Sequence, residues 1–254
     1  MNINNVYNWL LIKLSRIGNR SCFLCEAILP DNNHGLCQAC KEDFPLNHHA
    51  CARCGTELPQ TLYTPKQRLT RANAPYICGE CLHRPPGWHS LTALCQYEYP
   101  ATTMIQALKY QAKFANAKLL SSLLVTELKR QPQDQLPQCI LPVPLHPERQ
   151  KQRGFNQAIE LARPIAKALN IPLDINSCVR TTNTPSQAGL DKLMRLQNLI
   201  DAFSLKKIPP YKHVALFDDV VTTGNTVRCL CKLLHDAGIE RVDVWCIARA
   251  SKQT

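Results

Sequence analysis

The sequence lacks any long apolar segment. Residues 9–12 form a short apolar run near the amino terminus, but it is too short to span a bilayer and no basic region precedes it. The run fits the apolar side of an amphipathic helix, which we predict within residues 1–20. With neither a membrane span nor an export signal, the sequence predicts a cytoplasmic protein without membrane insertion.

Acidic residues are also scarce, because 19 Asp and Glu face 30 Lys and Arg, which gives a formal net charge of +11. This excess suits an anionic ligand, either a phosphate compound or a nucleic acid, and does not choose between them. Aromatic side chains, on which bases could stack, are few in the cysteine-rich first third of the chain. Their scarcity weighs against nucleic-acid stacking on that segment.

Cysteine is abundant, with 14 residues in the chain. In a reducing compartment, paired cysteines hold metal more often than they form disulfides. A Cys-x-x-Cys turn supplies two thiolates to one edge of a tetrahedron, so two such turns complete a closed, structural zinc site. The first eight cysteines form four such pairs: Cys22 and Cys25, Cys37 and Cys40, Cys51 and Cys54, Cys78 and Cys81. The pattern therefore predicts two zinc sites.

The way in which the pairs combine stays open, since sequential, interleaved and nested arrangements all satisfy the ligand count. We favour the sequential arrangement because closing short loops costs less entropy. Redox pairs or free structural thiols are the alternatives, and four consecutive pairs favour zinc over both. The remaining cysteines are predicted to be small core residues: Cys95, Cys139, Cys178, Cys229, Cys231 and Cys246.

From about residue 90 onward, helical and strand patterns alternate. Helices are predicted at 102–130 with a break around 111–113, at 155–169 and at 227–237. Strands are predicted at 91–97, 139–143, 213–217 and 241–248, with another within 171–179, whereas 191–201 is polar and partly helical. This order predicts an α/β domain at 90–254 with a mostly parallel sheet flanked by helices, after a helix at 1–20 and a cysteine module at 21–84.

The most informative segment joins the strand at 213–217 to the next helix. Two carboxylates, Asp218 and Asp219, suit the hydroxyls of a ribose and can balance a Mg²⁺ ion on a pyrophosphate. The loop that follows can hold a phosphate at a helix amino terminus: Thr222, Thr223, Gly224, Asn225 and Thr226. An ordinary strand–turn–helix is the alternative. The whole segment resembles the motif with which type I phosphoribosyltransferases bind phosphoribosyl pyrophosphate (PRPP).

Two further segments could complete such a site. A basic stretch follows the strand at 139–143 and could hold the pyrophosphate through Arg149, Lys151, Arg153, Gly154, Asn156 and Gln157. A solvated basic turn fits this stretch equally well. A polar stretch from Arg180 to Gln187, followed by Arg195, suits a flexible loop that covers the reacting centre. A plain surface loop is the alternative for this second stretch.

Together these segments resemble the ComF family (competence protein F, including GntX-type proteins) over nearly the whole chain. The resemblance is carried by the paired cysteines, by residues 108–110 (Leu-Lys-Tyr), by residues 142–146 (Pro-Val-Pro-Leu-His), by residues 153–157 (Arg-Gly-Phe-Asn-Gln) and by the PRPP motif. It implies a type I phosphoribosyltransferase fold behind a small zinc-ribbon module, and a role in the uptake or use of external DNA. Many members carry one four-cysteine cluster, so the resemblance implies at least one zinc ion.

Two hypotheses about function follow. In the first, the chain is an enzyme that displaces pyrophosphate from PRPP, bound with Mg²⁺, by a nitrogen nucleophile, and catalysis is mainly positioning and electrostatics. In the second, the same pocket senses PRPP or a nucleotide in an adaptor that contacts single-stranded DNA or the proteins of DNA uptake, such as a helicase.

Overall fold

The computed structural model describes residues 21–29, 35–62, 76–181 and 202–250. The chain divides into two compact units, Met1–Pro45 and Leu46–Thr254, so the last two cysteine pairs share a unit with the sheet. The predictions for residues 1–20 and 191–201, and those for Gln187 and Arg195, lie outside the described residues. Within the described ranges, no helix has both the length and the apolar character needed to cross a bilayer.

Each pair of cysteine turns contains one short helix. In the first unit, α1 (Gln38–Glu42) begins directly after Cys37, whose side chain accepts a hydrogen bond from the Cys40 amide. In the second unit, α2 (Gly79–His83) begins directly after Cys78. The sequence predicts little regular structure here, and the helices found are single turns of five residues.

The rest of the second unit alternates strands and longer helices. Its elements are β1 (Ser90–Gln96), α3 (Ala101–Gln111), α4 (Phe114–Leu128), β2 (Cys139–Pro142), α5 (Pro147–Arg153), α6 (Gln157–Leu169), β3 (Cys178–Arg180), β4 (Phe203–Leu205), β5 (His213–Val221), α7 (Asn225–Asp236) and β6 (Arg241–Arg249). Two 3-10 turns, Gln60–Leu62 and Gln133–Gln135, complete the described elements.

The main sheet has the strand order β1–β6–β5–β2, and every neighbouring pair in it is parallel. This confirms the predicted α/β class with a mostly parallel sheet. The central strands β5 and β6 are almost completely buried, as expected for a sheet covered on both faces. Strands β3 and β4 form a separate antiparallel pair, so the strand predicted within 171–179 is shorter and lies outside the main sheet.

Helix ends follow from local sequence. The predicted break in the helix at 102–130 is confirmed at Ala112, which ends α3 in the left-handed conformation with φ 52°. Helix α6 begins after Asn156, whose side-chain oxygen accepts a hydrogen bond from the Ala158 amide, and it ends at left-handed Asn170. Its apolar positions Leu161 and Ile165 face the core with no exposure, as the helical spacing predicts.

Two predictions about the site's backbone are wrong in detail. The segment at 147–153 is a helix rather than a loop, because Pro147 begins it, His146 caps it and left-handed Gly154 ends it. Strand β5 continues through Asp218 and Asp219 to Val221, since β6 pairs with it as far as Arg249. The two carboxylates therefore lie within the strand and not after it.

The six unpaired cysteines confirm their predicted role. All of them are buried within the second unit. Burial raises the pKa of the Cys95 thiol to about 12, which keeps that thiol protonated and unreactive.

Candidate functional site

The two acidic residues of β5 differ in their surroundings. Asp219 is buried, with 4% of its surface exposed, whereas Asp218 is partly exposed. The Asp219 amide donates a 2.8 Å hydrogen bond to Oδ1 of Asp218, which joins the two groups. Burial and the adjacent charge of Asp219 raise the pKa of Asp218 well above its usual range. The pair thus forms one coupled acidic centre at the carboxyl end of the sheet, where open parallel sheets usually bind ligands.

Two side chains from other elements contact Asp219, and a third reaches it through one of them. The Lys109 ammonium from α3 forms an ion pair with Oδ2 of Asp219, and the Gln157 amide donates a 3.2 Å hydrogen bond to Oδ1. The Arg153 guanidinium donates to Oε1 of Gln157 and lies 5.6 Å from the centre of the Tyr110 ring. Two predicted pyrophosphate residues, Arg153 and Gln157, are therefore brought to the acidic pair.

Three further predicted residues, Arg149, Arg180 and Lys151, belong to α5 and β3. Burial and, to a lesser extent, the charge of Arg149 lower the pKa of Arg180, and the charge of Asp218 opposes that shift. Arg180 belongs to β3, which corrects the expectation that the flexible loop begins there. Lys151 is exposed on α5, where the structure shows no partner for it among the described residues.

Gly154 and Asn156 have backbone roles in the structure. Gly154 ends α5 with φ 81°, and Asn156 caps α6 while its amide donates a 3.0 Å hydrogen bond to the carbonyl of Val143. These contacts fix the path between the end of β2 and the start of α6. Their assignment to a pyrophosphate site stays a prediction.

The predicted phosphate loop runs from β5 into α7. Gly224 is the residue before the helix, with φ 76°, and has no side chain to cap it, while the Asn225 amide donates a 3.5 Å hydrogen bond to the Thr223 hydroxyl. Thr222 and Thr223 are exposed, and Asn225 and Thr226 are partly exposed, so their polar groups are accessible. No acidic residue lies in the first turn of α7. A helix start of this kind suits an anion, because its amides and the helix dipole both favour negative charge.

The eight paired cysteines form two separate clusters. Within each cluster the Sγ atoms lie within 4.8 Å of one another, and the clusters combine the pairs in sequence: Cys22, Cys25, Cys37 and Cys40, then Cys51, Cys54, Cys78 and Cys81. This confirms the sequential arrangement. We name them the first and the second cysteine cluster.

The distances within the clusters fit zinc. Cys25 Sγ lies 3.6 Å from Cys37 Sγ, and Cys54 Sγ lies 3.7 Å from Cys78 Sγ. Four sulfurs at the usual zinc–sulfur length would be about 3.8 Å apart in a tetrahedron. Backbone amides also point at the thiols, since the Cys78 amide donates a 3.2 Å hydrogen bond to Cys51 Sγ. The pKa of the Cys51 thiol is lowered to about 4, mainly by a hydrogen bond from the Cys54 side chain. Burial opposes this shift and the Cys78 amide supports it. The lowered pKa favours the thiolate form, which binds zinc.

The second cysteine cluster contacts the phosphate loop through two residues. The Arg249 guanidinium donates from Nε to the carbonyl of Cys54 at 2.7 Å, and from Nη1 to the carbonyls of Val221 and Thr222. Trp88 donates from Nε1 to the carbonyl of Arg53 at 2.6 Å, and its ring lies against Gly224.

Sequence reasoning misses three residues of this region. The resemblance includes Lys109 without giving it a role, and its position in a helix one turn from the break could have marked it as functional. Arg249 and Trp88 have no sequence signal, because Arg249 contacts a carbonyl 195 positions away. Only the folded chain shows these contacts.

Comparison with known proteins agrees with the motifs. Residues 17–82 match the double zinc ribbon domain, and residues 156–254 match the phosphoribosyl transferase domain. Competence protein F of Haemophilus influenzae is 38% identical over 241 residues, which cover 91% of this chain and 98% of that protein. DNA utilization protein YhgH of Escherichia coli (strain K12) is 35% identical over 231 residues, which cover 90% of this chain and 96% of that protein.

The resemblance drawn from the motifs is thereby confirmed, as is the expected fold. Both cysteine clusters lie within the range that matches the double zinc ribbon, and the acidic pair lies within the range that matches the phosphoribosyl transferase domain. This chain belongs to the ComF family of competence protein F, with a double zinc ribbon before a phosphoribosyltransferase domain of the type I fold.

Proposed function

We propose that this chain binds PRPP at the carboxyl end of β5 and acts there as a phosphoribosyltransferase. One observation carries the proposal: the coupled acidic pair is followed, five residues after Asp219, by Gly224 at the start of a helix, and the Lys109 ammonium forms an ion pair with Asp219. The acids suit the hydroxyls of a ribose and the helix start suits its 5′-phosphate, so the arrangement matches one ligand that carries both groups.

Each group of residues has a separate task in this proposal. Asp218 and Asp219 accept hydrogen bonds from the ribose hydroxyls, and the amides and hydroxyls of residues 222–226 bind the 5′-phosphate. Mg²⁺ bound with the substrate would neutralise the pyrophosphate, and the acidic pair has the oxygen ligands that Mg²⁺ prefers.

The basic residues near the acidic pair suit the pyrophosphate. Arg153, Lys109 and Arg149 supply positive charge where negative charge grows as the C1–oxygen bond breaks. The pyrophosphate leaves with the electron pair of that bond, and a nitrogen of the acceptor base forms the new bond at C1 and releases its proton to water. The protein contributes position and charge rather than a covalent intermediate.

The cellular role that we propose is the uptake or use of external DNA by a cytoplasmic protein. Two relatives carry the names competence protein F and DNA utilization protein, and each aligns with this chain over 90% or more of its own length. A nucleotide-handling activity fits that role, because imported DNA is a source of bases and nucleotides.

The double variant Asp218→Asn with Asp219→Asn tests the site. We expect PRPP affinity to fall by roughly a hundredfold or more, because at both positions a carboxyl oxygen that accepts from a ribose hydroxyl is replaced by an amide nitrogen that cannot accept. Calorimetric titration gives the affinity, and zinc content should be unchanged. Asp236→Asn, at an exposed position near the end of α7, is the control. Unchanged affinity in the double variant would refute the assignment of the site.

We propose single-stranded DNA binding as a second candidate function. Exposed aromatic rings lie beside the basic residues: Tyr110 is 76% exposed and Phe114 is 44% exposed. Phe114 also contacts Phe155, with ring centres 5.0 Å apart, and Arg153 lies over Tyr110. Aromatic rings next to positive charge are the usual means of binding single strands without sequence preference.

Fluorescence anisotropy with a labelled oligothymidine tests this second candidate. We expect Phe114→Ala to weaken binding by about fivefold or more, since base stacking is lost. Tyr99→Ala is the control, because Tyr99 is more exposed than Phe114, at 79%, but is not part of this aromatic group. Equal effects of the two substitutions would contradict a specific stacking surface.

A further inference from the structure

We infer that Arg249 and Trp88 are positioning residues through which the second cysteine cluster holds the phosphate loop in its binding conformation. PRPP binding should therefore depend on the metal state of the second cluster and not on that of the first. The part of this inference that concerns PRPP rests on the proposed function. The coupling of the loop to the cluster does not.

The first turn of the second cluster, residues 51–54, has three consecutive carbonyls that accept hydrogen bonds from residues outside the cluster. The Leu91 amide donates to the carbonyl of Ala52 at 3.0 Å, and Trp88 Nε1 donates to the carbonyl of Arg53 at 2.6 Å. Arg249 Nε donates to the next carbonyl, that of Cys54, at 2.7 Å. Metal coordination by Cys51 and Cys54 fixes the turn that presents these carbonyls, so loss of the metal would affect all three bonds at once.

The same two side chains reach the phosphate loop. Arg249 is only 4% exposed, and its Nη1 donates to the carbonyls of Val221, at 3.0 Å, and Thr222. It thus joins the cysteine turn to the last residue of β5 and the first residue of the loop. Among the described residues, Arg249 forms no ion pair with a carboxylate. Its charge therefore adds to the positive field at the loop instead of being neutralised.

Trp88 supports the loop from a second direction. A Cβ at position 224 would lie 3.0 Å from Cη2 of Trp88, so the indole ring rests directly on the backbone of Gly224. The ring is 5% exposed, and Arg228 of α7 lies 5.6 Å from its centre. A shift of Trp88 would therefore move the residue that precedes the helix start.

Gly55 lets the cysteine turn pack closely against β1. Gly55 has φ +68°, and a Cβ at this position would lie within the contact distance of Leu91 of β1. The cysteine turn is thus pressed onto the strand that neighbours β6, the strand of Arg249. No gap at Gly55 separates the cysteine turn from Leu91 of β1, so a shift of the turn would act on the strand directly.

Hydrogen exchange of the ligand-free protein tests the coupling. The variant Cys54→Ser with Cys78→Ser removes the metal from the second cluster, and Cys25→Ser with Cys40→Ser removes it from the first, as the matched control. We expect amide exchange at residues 222–226 to rise at least about tenfold in the former variant only. Buried amides of β5, at residues 214–217, serve as the reference for a folded sheet.

A loop whose exchange stays unchanged after loss of the second metal would overturn the inference. An equal rise in both cysteine variants would also overturn it, because the effect would then not come from the second cluster. If residues 214–217 lose protection as well, the sheet itself has been disturbed, and the variants Arg249→Lys and Trp88→Phe decide instead.

Arg249→Lys keeps the positive charge but removes the hydrogen bond from Nε to the carbonyl of Cys54. Trp88→Phe keeps an aromatic ring but removes the hydrogen bond from Nε1 to the carbonyl of Arg53. We expect each to raise exchange at residues 222–226 by about fivefold, with zinc content unchanged. Arg241→Lys, at the opposite end of β6, is the control. An unchanged loop in both variants, with zinc retained, would contradict a positioning role.

PRPP titration of the same proteins separates this inference from the proposed function. Weaker binding in the second-cluster variant, with wild-type affinity in the first-cluster variant, supports both. Coupled exchange in a protein that binds no PRPP would refute the proposed function and leave the coupling intact. Full PRPP affinity without the second metal would refute the dependence of binding on that cluster.

Discussion

At the residue scale, the candidate site depends on pairs that are far apart in sequence. Asp219 meets Lys109 from α3 and Gln157 from α6. The acidic pair and the phosphate loop could be predicted because their residue types follow one another in the chain. Their partners could not, since nothing in a local pattern shows that Arg249 will reach the carbonyl of Cys54.

Lys109 gives the first prediction. Lys109→Gln removes a charge from the buried acidic pair and from the proposed pyrophosphate side, so we expect PRPP affinity to fall by about tenfold or more. Lys118→Gln, at an exposed position of α4, is the control. Calorimetric titration measures both, and an equal response of the two variants would argue against Lys109 as a site residue.

The two glycines at the ends of α7 give a second prediction. Gly224 and Gly238 both have positive φ, but a Cβ meets Trp88 only at position 224. We expect Gly238→Ala to cost about 1 kcal/mol of unfolding free energy through backbone strain alone. Gly224→Ala should cost about 1 kcal/mol more and should also weaken PRPP binding. Urea unfolding measures the difference, and equal costs would contradict the contact with Trp88.

At the scale of elements, the sequence predicts the helices and strands of the α/β domain well where apolar spacing is regular. The prediction fails at α5, because a basic composition hides the helix signals of His146, Pro147 and Gly154. It also ends β5 too early, because acidic residues in a central strand are costly unless a site requires them. The presence of Asp218 and Asp219 within a central strand is therefore itself a sign of function.

The turn before β3 gives a prediction about pH. Burial raises the pKa of Asp174, but hydrogen bonds from the Ser177 hydroxyl and from the amides of Asn176 and Ser177 outweigh it, so the pKa is lowered. A carboxylate with a lowered pKa in the folded state stabilises the fold at neutral pH, and this stabilisation disappears as pH falls below about 4.

We therefore expect Asp174→Asn to lower the free energy of unfolding by about 1 kcal/mol at pH 7 and by clearly less near pH 3. Urea unfolding at both pH values measures the effect. Asp236→Asn, in an exposed ion pair with Lys232, should change little at either pH. A pH-independent loss in Asp174→Asn would show that the charge of Asp174 is not the cause.

At the scale of the whole molecule, two cysteine clusters stand before one transferase domain. Cysteine spacing predicts two clusters, because a Cys-x-x-Cys turn is a local structure, but it leaves their pairing open, and the folded chain shows the sequential arrangement that loop entropy favours. The contact of the second cluster with the phosphate loop requires the complete fold. The two clusters thus have the same ligands and different neighbours.

Metal content checks the two clusters directly. We expect about two zinc ions per chain in the purified protein, one for each group of four thiolates. A metal-release assay with a chromophoric chelator measures this number. Each cysteine double variant should lose one ion. A wild-type protein with a single zinc ion would contradict one of the clusters as a metal site.

Calorimetric titration of the zinc-replete protein with PRPP, with and without Mg²⁺, tests the central claim most directly. Ribose 5-phosphate and pyrophosphate, titrated separately, show which half of the ligand is bound. We expect one PRPP per chain, tighter binding with Mg²⁺, and weaker binding of either half alone. No binding of PRPP in the presence of Mg²⁺ would contradict the assignment of Asp218, Asp219 and the loop at residues 222–226 to a PRPP site.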